Sequence, residues 1–137
     1  MSIDINLFAV LGAAVAAMVV GWLWFGLLFR KPWTRLAQLD ERPAAKDAVQ
    51  YPIAFVVNLL GAFVLAYIGS ASQIANQVSL LEAALYSAVF GWLAFSAGRA
   101  LITTVFESRS VKLLLINTGH DFAVLLTMAL VIGLVGN

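Results

Sequence analysis

Apolar residues fall along this chain in four long stretches separated by three short polar ones. A hydrocarbon core about 30 Å thick takes roughly 20 apolar residues in helical form to cross. Residues 7–29 supply the first stretch, ended by Arg30-Lys31-Pro32. Residues 52–69 supply the second, opened by Tyr51-Pro52, where proline suits a first helical turn. Residues 80–106 and 113–135 supply the third and fourth. The runs lack the period-two alternation of a membrane barrel, and helices satisfy their own backbone groups, as lipid demands. Ser70 to Ser79 (SASQIANQVS), polar and uncharged, reads as a short surface turn. The pattern predicts an all-α membrane protein, a single domain over 1–137 with four transmembrane helices.

Loop charges orient these spans, because cytoplasmic loops collect Lys and Arg. The first loop holds Arg30, Lys31, Arg35, Arg42 and Lys46, and the third turn holds Arg109 and Lys112. The second loop has neither residue type. Loops one and three are therefore expected in the cytoplasm, with both termini on the other side. Met1 to Leu7 carries Asp4 and no Lys or Arg, so the first stretch is expected to stay as a helix rather than serve as a signal peptide. Within the first loop, Trp33, Leu36, Ala37 and Leu39 are spaced for a short interfacial helix; a solvated loop is the alternative. Trp24 and Trp33 read as interfacial anchors.

Composition narrows the function classes. Hydrophobic residues make up 63% and charged residues 11%, against roughly 45–50% and about 25% in soluble domains. A soluble fold of this length exposes too much surface to hide that much apolar material. The net charge of +1 gives no case for nucleic acid. With no cysteine and one histidine, thiol chemistry is excluded and a metal site within one chain is not expected. No recognised catalytic set is present, so neither an enzyme nor a cofactor is expected.

The first and third spans resemble one another. Residues 70 apart match at Leu11, Ala13, Ala14, Val19, Gly21, Trp22, Leu23 and Phe25, which fall on Leu81, Ala83, Ala84, Val89, Gly91, Trp92, Leu93 and Phe95. The weight rests on Gly-Trp-Leu-x-Phe occurring twice. This predicts two parallel-repeat helical hairpins, residues 7–69 and 80–135, related by an axis along the membrane normal; chance resemblance is the alternative. Small residues at every fourth position, Ala13, Ala17 and Gly21 in one copy and Ala83, Ser87 and Gly91 in the other, form the expected helix-packing faces.

Ionisable groups inside a membrane each need a partner or a purpose. Here they are Arg99, His120 and Asp121, with Asn58, Asn117, Thr103 and Thr104 as polar company. Arg99 and Asp121 each lie 11 residues from Ser110, so a hairpin turning there puts them at similar depth. Three readings stay open: a structural Arg99–Asp121 ion pair, a polar pathway or binding site, or a third span that ends near Gly98 while Arg99 snorkels to headgroups. Asn58 lies at the depth of Trp22, whose indole could donate to it. Glu82 is placed in the outer headgroup region.

The segment Gly21-Trp22-Leu-Trp24-Phe25-Gly26-Leu-Leu-Phe29-x-Lys31-Pro32-Trp33, with Phe106-Glu107-Ser-Arg109 and Asn117-x-Gly119-His120, resembles a bacterial membrane family catalogued as domain of unknown function 1761. The resemblance covers nearly the whole chain. It implies a small four-helix protein of the bacterial inner membrane and supplies no activity. The residues leave two functions in view: an oligomeric transporter or channel for an ion or small solute, or an accessory subunit of a larger membrane complex. Its partners would be lipid, further copies of itself and, in the second case, other membrane proteins.

Overall fold

The computed structural model describes residues 3–37 and 47–136. Residues 38–46, which carry Arg42, Lys46 and the end of the proposed interfacial segment, lie outside the described residues. All regular elements among the described residues are helical: α1 (Leu7–Leu23), π1 (Trp24–Leu28), α2 (Arg30–Leu36), α3 (Asp47–Asn76), α4 (Leu80–Gly91), π2 (Trp92–Ala97), α5 (Gly98–Phe106) and α6 (Val111–Val135). Joined end to end they make four helices long and apolar enough to cross a membrane: Leu7–Leu28, Val49–Asn76, Leu80–Phe106 and Val111–Val135.

Caps set most of the boundaries. The Asn6 side chain accepts from the Phe8 and Ala9 amides, Ser79 from Glu82, and Ser110 from Leu113. Each satisfies an amide that the first helical turn leaves without a partner. Asn6 also donates to the Val135 carbonyl at 3.3 Å, which ties the start of α1 to the end of α6. The second helix departs from expectation at both ends. It begins at Asp47 with Pro52 inside it, and it runs on through Ser70 to Asn76. The stretch read as a surface turn is thus mostly helix, since Ala, Ile and Gln sustain a turn once packing has begun it. The chain reverses only at Gln77, whose φ of 55° is left-handed. The third helix continues past Arg99 to Phe106, so it does not end at Gly98.

The four long helices form a ring in chain order. The first packs on α3 and α6, and α4 closes the ring between α3 and α6. Their shared core is Val10, Ala13, Ala17, Ala62, Leu65, Ala66, Leu80, Ala84, Ala88, Val124, Met128, Ala129 and Ile132. More than half of these are alanine, whose small side chain lets helix backbones approach closely. Closest of all is the crossing of α6 on α4, where a Cβ at Gly133 would strike the Leu81 Cα. A Cβ at Gly69 would stand 3.4 Å from the Ala84 Cα. The core lies in the half of the bundle that holds the start of α1; the other half is built differently.

Of the predicted packing faces, Ala13, Ala17 and Ala83 are buried, and Gly21 meets His120. Ser87 turns its hydroxyl back onto the Ala83 carbonyl at 2.8 Å. With Gly91 it lines a groove of about 770 Å³ beside α3, together with Ile68, Ser72, Glu82 and Tyr86. The alanines of the third helix that enter the core are Ala84 and Ala88, one position round from the expected face.

Candidate functional site

The open half of the bundle is organised around the middle of α6. Two residues from facing helices reach its backbone there. Trp24, the first residue of π1, donates its indole N–H to the Ile116 carbonyl at 2.9 Å. Trp92, the first residue of π2, donates to the Thr118 carbonyl at 2.7 Å. Each carbonyl has a second lone pair beyond its helical bond. A π turn inserts an extra residue into an α-helix, is uncommon, and recurs at functional sites. Here each π turn opens at the tryptophan that bonds α6. Trp24 is turned toward α6, where its N–H finds a carbonyl and its ring lies on Gly119, at which a Cβ would stand 2.9 Å away. Trp33 packs on Phe25 at 4.2 Å. The exposed indole is Trp22, at 58%, which makes no hydrogen bond to Asn58; that side chain donates to the Met18 sulfur at 3.3 Å.

Between the two tryptophans lie His120 and Asp121. His120 packs against the Phe25 ring at 4.5 Å and faces Gly21, where a Cβ would stand 3.2 Å from its Nε2. A carboxylate accepts hydrogen bonds, so His120 Nδ1–H donates to Asp121 Oδ1 at 3.2 Å. Asp121 Oδ2 accepts from the Ser96 hydroxyl at 2.6 Å, a short charge-assisted bond. The His120 side chain is 22% exposed and that of Asp121 48%. Trp92 covers the next residue, with its ring 4.8 Å from Phe122.

Arg99 does not join this pair. It is exposed, and among the described residues it has neither an ion pair nor a hydrogen bond. Within the chain it is Ser96, not Arg99, that bonds the Asp121 carboxylate. In this register of the third helix on the fourth, Asp121 stands level with Ser96, and Arg99 lies three residues nearer the loop. Asn117, one turn before Asp121 on the same face of α6, is likewise exposed. Thr103 is exposed and Thr104 buried. Asn58 stays on the far side of the bundle with Met18. The sequence thus identified His120 and Asp121 as neighbours but missed Ser96, a small polar residue with nothing in its local pattern to mark it. Among the described residues no three His, Cys, Asp or Glu side chains gather to hold a metal ion.

These features define a class: a small all-helical protein with four bilayer-length apolar helices and a His–Asp pair held at mid-helix between two π turns. The chain belongs to the family described as protein of unknown function (DUF1761), whose model matches residues 8–133. No curated protein and no solved structure matches it.

Proposed function

We propose that this chain is a multi-pass membrane protein that moves protons or small cations, with Asp121 as the group that takes and releases them. The observation that carries this reading is a half-exposed carboxylate at the middle of an apolar helix. Asp121 lies ten residues into α6, about 15 Å from its start. A charge at that depth is expensive in lipid, and such residues mark ion pathways and proton relays in membrane proteins. His120 joins Asp121 on one side and looks toward Gly21 on the other, so the pair connects the bundle interior with its outer surface. Two hydrogen-bond partners, Ser96 and His120, hold the Asp121 carboxylate in place.

The positive loops support an orientation with residues 30–46 and the α5–α6 turn in the cytoplasm, and hence both termini outside, in a bacterial inner membrane. The chain-order ring and the tryptophan that opens each π turn support descent from two parallel hairpins. The repeat is imperfect at its most specific residue, because Trp24 rather than Trp22 takes the role of Trp92.

The reading is tested in liposomes carrying the purified protein and a pH dye, with proton, sodium and potassium gradients imposed in turn. The expected result is flux that falls at least about tenfold in Asp121→Asn, which corresponds to about 1.4 kcal/mol or more in the barrier. His120→Gln should be slowed for protons more than for metal cations. Flux of every ion unaltered by Asp121→Asn, in protein of unchanged helicity, would remove the proposal. The accessory-subunit reading rests on a different observation, the exposed aromatic rings of Phe90, Phe95 and Phe106 along the third helix. It predicts a co-purifying membrane protein and no flux from the isolated chain.

A further inference from the structure

We infer that the seam between α5 and α6 is a self-complementary interface, and that Arg99 of one copy pairs with Asp121 of a second. This rests on the membrane-spanning part of the reading above and not on transport. Both residues lie within helices that lipid would surround; Arg99 is exposed, and the Asp121 side chain is half-exposed beside it. Asp121 has two further lone-pair sites beyond those used by Ser96 and His120, since a carboxylate accepts about four hydrogen bonds. Arg99 has five donors and, among the described residues, no acceptor.

Within one chain the two charges are offset by one turn of the seam. A two-fold axis along the membrane normal keeps every residue at its own depth, and Asp121 stands about 4.5 Å from the level of Arg99, three residues of helix rise. A guanidinium on its three-carbon stem spans that offset and can grip a carboxylate with two parallel bonds. An isologous contact then forms the pair twice, residue 99 to residue 121 and residue 121 to residue 99. Charge complementarity on one face selects a second copy as the occupant. Phe95 and Ile102, exposed four residues before and three after Arg99, lie on the same face and supply apolar contact on either side of the charges. Asn117, exposed one turn from Asp121, adds a neutral donor and acceptor at the centre. The depth match that the sequence suggests for Arg99 and Asp121 is thus used between copies rather than within one.

The test distinguishes pairing within a chain from pairing between chains. Arg99→Asp and Asp121→Arg are made in separately tagged chains, expressed alone and together, and association is read by tag co-purification and energy transfer in vesicles. Each variant alone should self-associate roughly 10- to 100-fold more weakly than the native chain. The mixture should recover most of the loss, because a mixed dimer has two opposite-charge pairs and either homodimer has none. Mixed dimers no more frequent than random assortment would overturn the inference, as would recovery confined to the double variant on one chain. Should charge reversal prevent insertion, Arg99→Gln mixed with Asp121→Asn gives the same reading, since the mixed dimer alone retains one Arg–Asp pair. Failure of these chains to insert with four crossings would instead strike the membrane reading itself, which thiol labelling of the turns at Gln77 and Ser108 reports independently.

Discussion

Ser108 occupies the left-handed region at φ 52°, and the surrounding bonds say why the chain needs that conformation there. The Arg109 amide donates to the Thr104 carbonyl at 3.0 Å, the six-to-one bond that closes a helix with a left-handed residue just past its end. Glycine fills that position without the steric penalty a Cβ brings. Ser108→Gly should therefore raise unfolding stability by about 0.5–1 kcal/mol, read from denaturation in mild detergent. The contact of Trp24 with Gly119 works in the opposite sense. A methyl at position 119 meets the far edge of the indole ring, so Gly119→Ala should cost about 1–3 kcal/mol. Trp24→Phe alone should cost about 0.5–1.5 kcal/mol through its lost bond to Ile116. Because the phenyl ring is smaller where the clash falls, the double variant should be less damaged than the two losses added, a coupling that a double-mutant cycle measures.

At the scale of the element, the two π turns decide which residues face α6. An extra residue rotates everything beyond it by about 100° on the helix. Deleting Leu27, an exposed member of π1, should restore plain α-helix and swing α2 round, separating Trp33 from Phe25. Altered Trp33 emission, with total helicity kept, is the expected signature; an unchanged spectrum would mean that the π turn re-forms one residue earlier. The existence of the four helices was legible because apolar runs near 20 residues leave few other structures open to the chain. Their ends were less so. Proline at position 52 looked like a start and lies inside the helix, and the polar run from Ser70 is helical because Asn76 and Ser72 satisfy each other along it. Neither π turn could be read, since no residue preference marks one and its cause lies across the bundle in the carbonyls of α6. The register of Arg99 was out of reach for the same reason: counting from Ser110 sets it level with Asp121, whereas the Ser96–Asp121 bond leaves it three residues nearer the loop.

For the molecule as a whole, the sidedness is open to direct measurement because the chain has no cysteine. Single thiols placed at Gln77, in the α3–α4 turn, and at Ser108, in the α5–α6 turn, should label oppositely. An impermeant maleimide on intact cells should reach Gln77→Cys at once and Ser108→Cys only after the membrane is opened. The reverse pattern would invert the orientation, and equal labelling of both would contradict the single crossing proposed between them.

The alanine-lined half of the bundle has a consequence for how this chain can vary over generations. In the membrane setting proposed, the surrounding hydrocarbon is as apolar as that core, so oiliness would not distinguish an acceptable residue there; volume would. Positions 13, 62, 84 and 129 sit fully enclosed, so glycine or serine can replace alanine where valine or leucine cannot. Drift in that half is therefore filtered by size. In the half around Asp121, where rings and charges meet at defined atoms, it is filtered by chemistry.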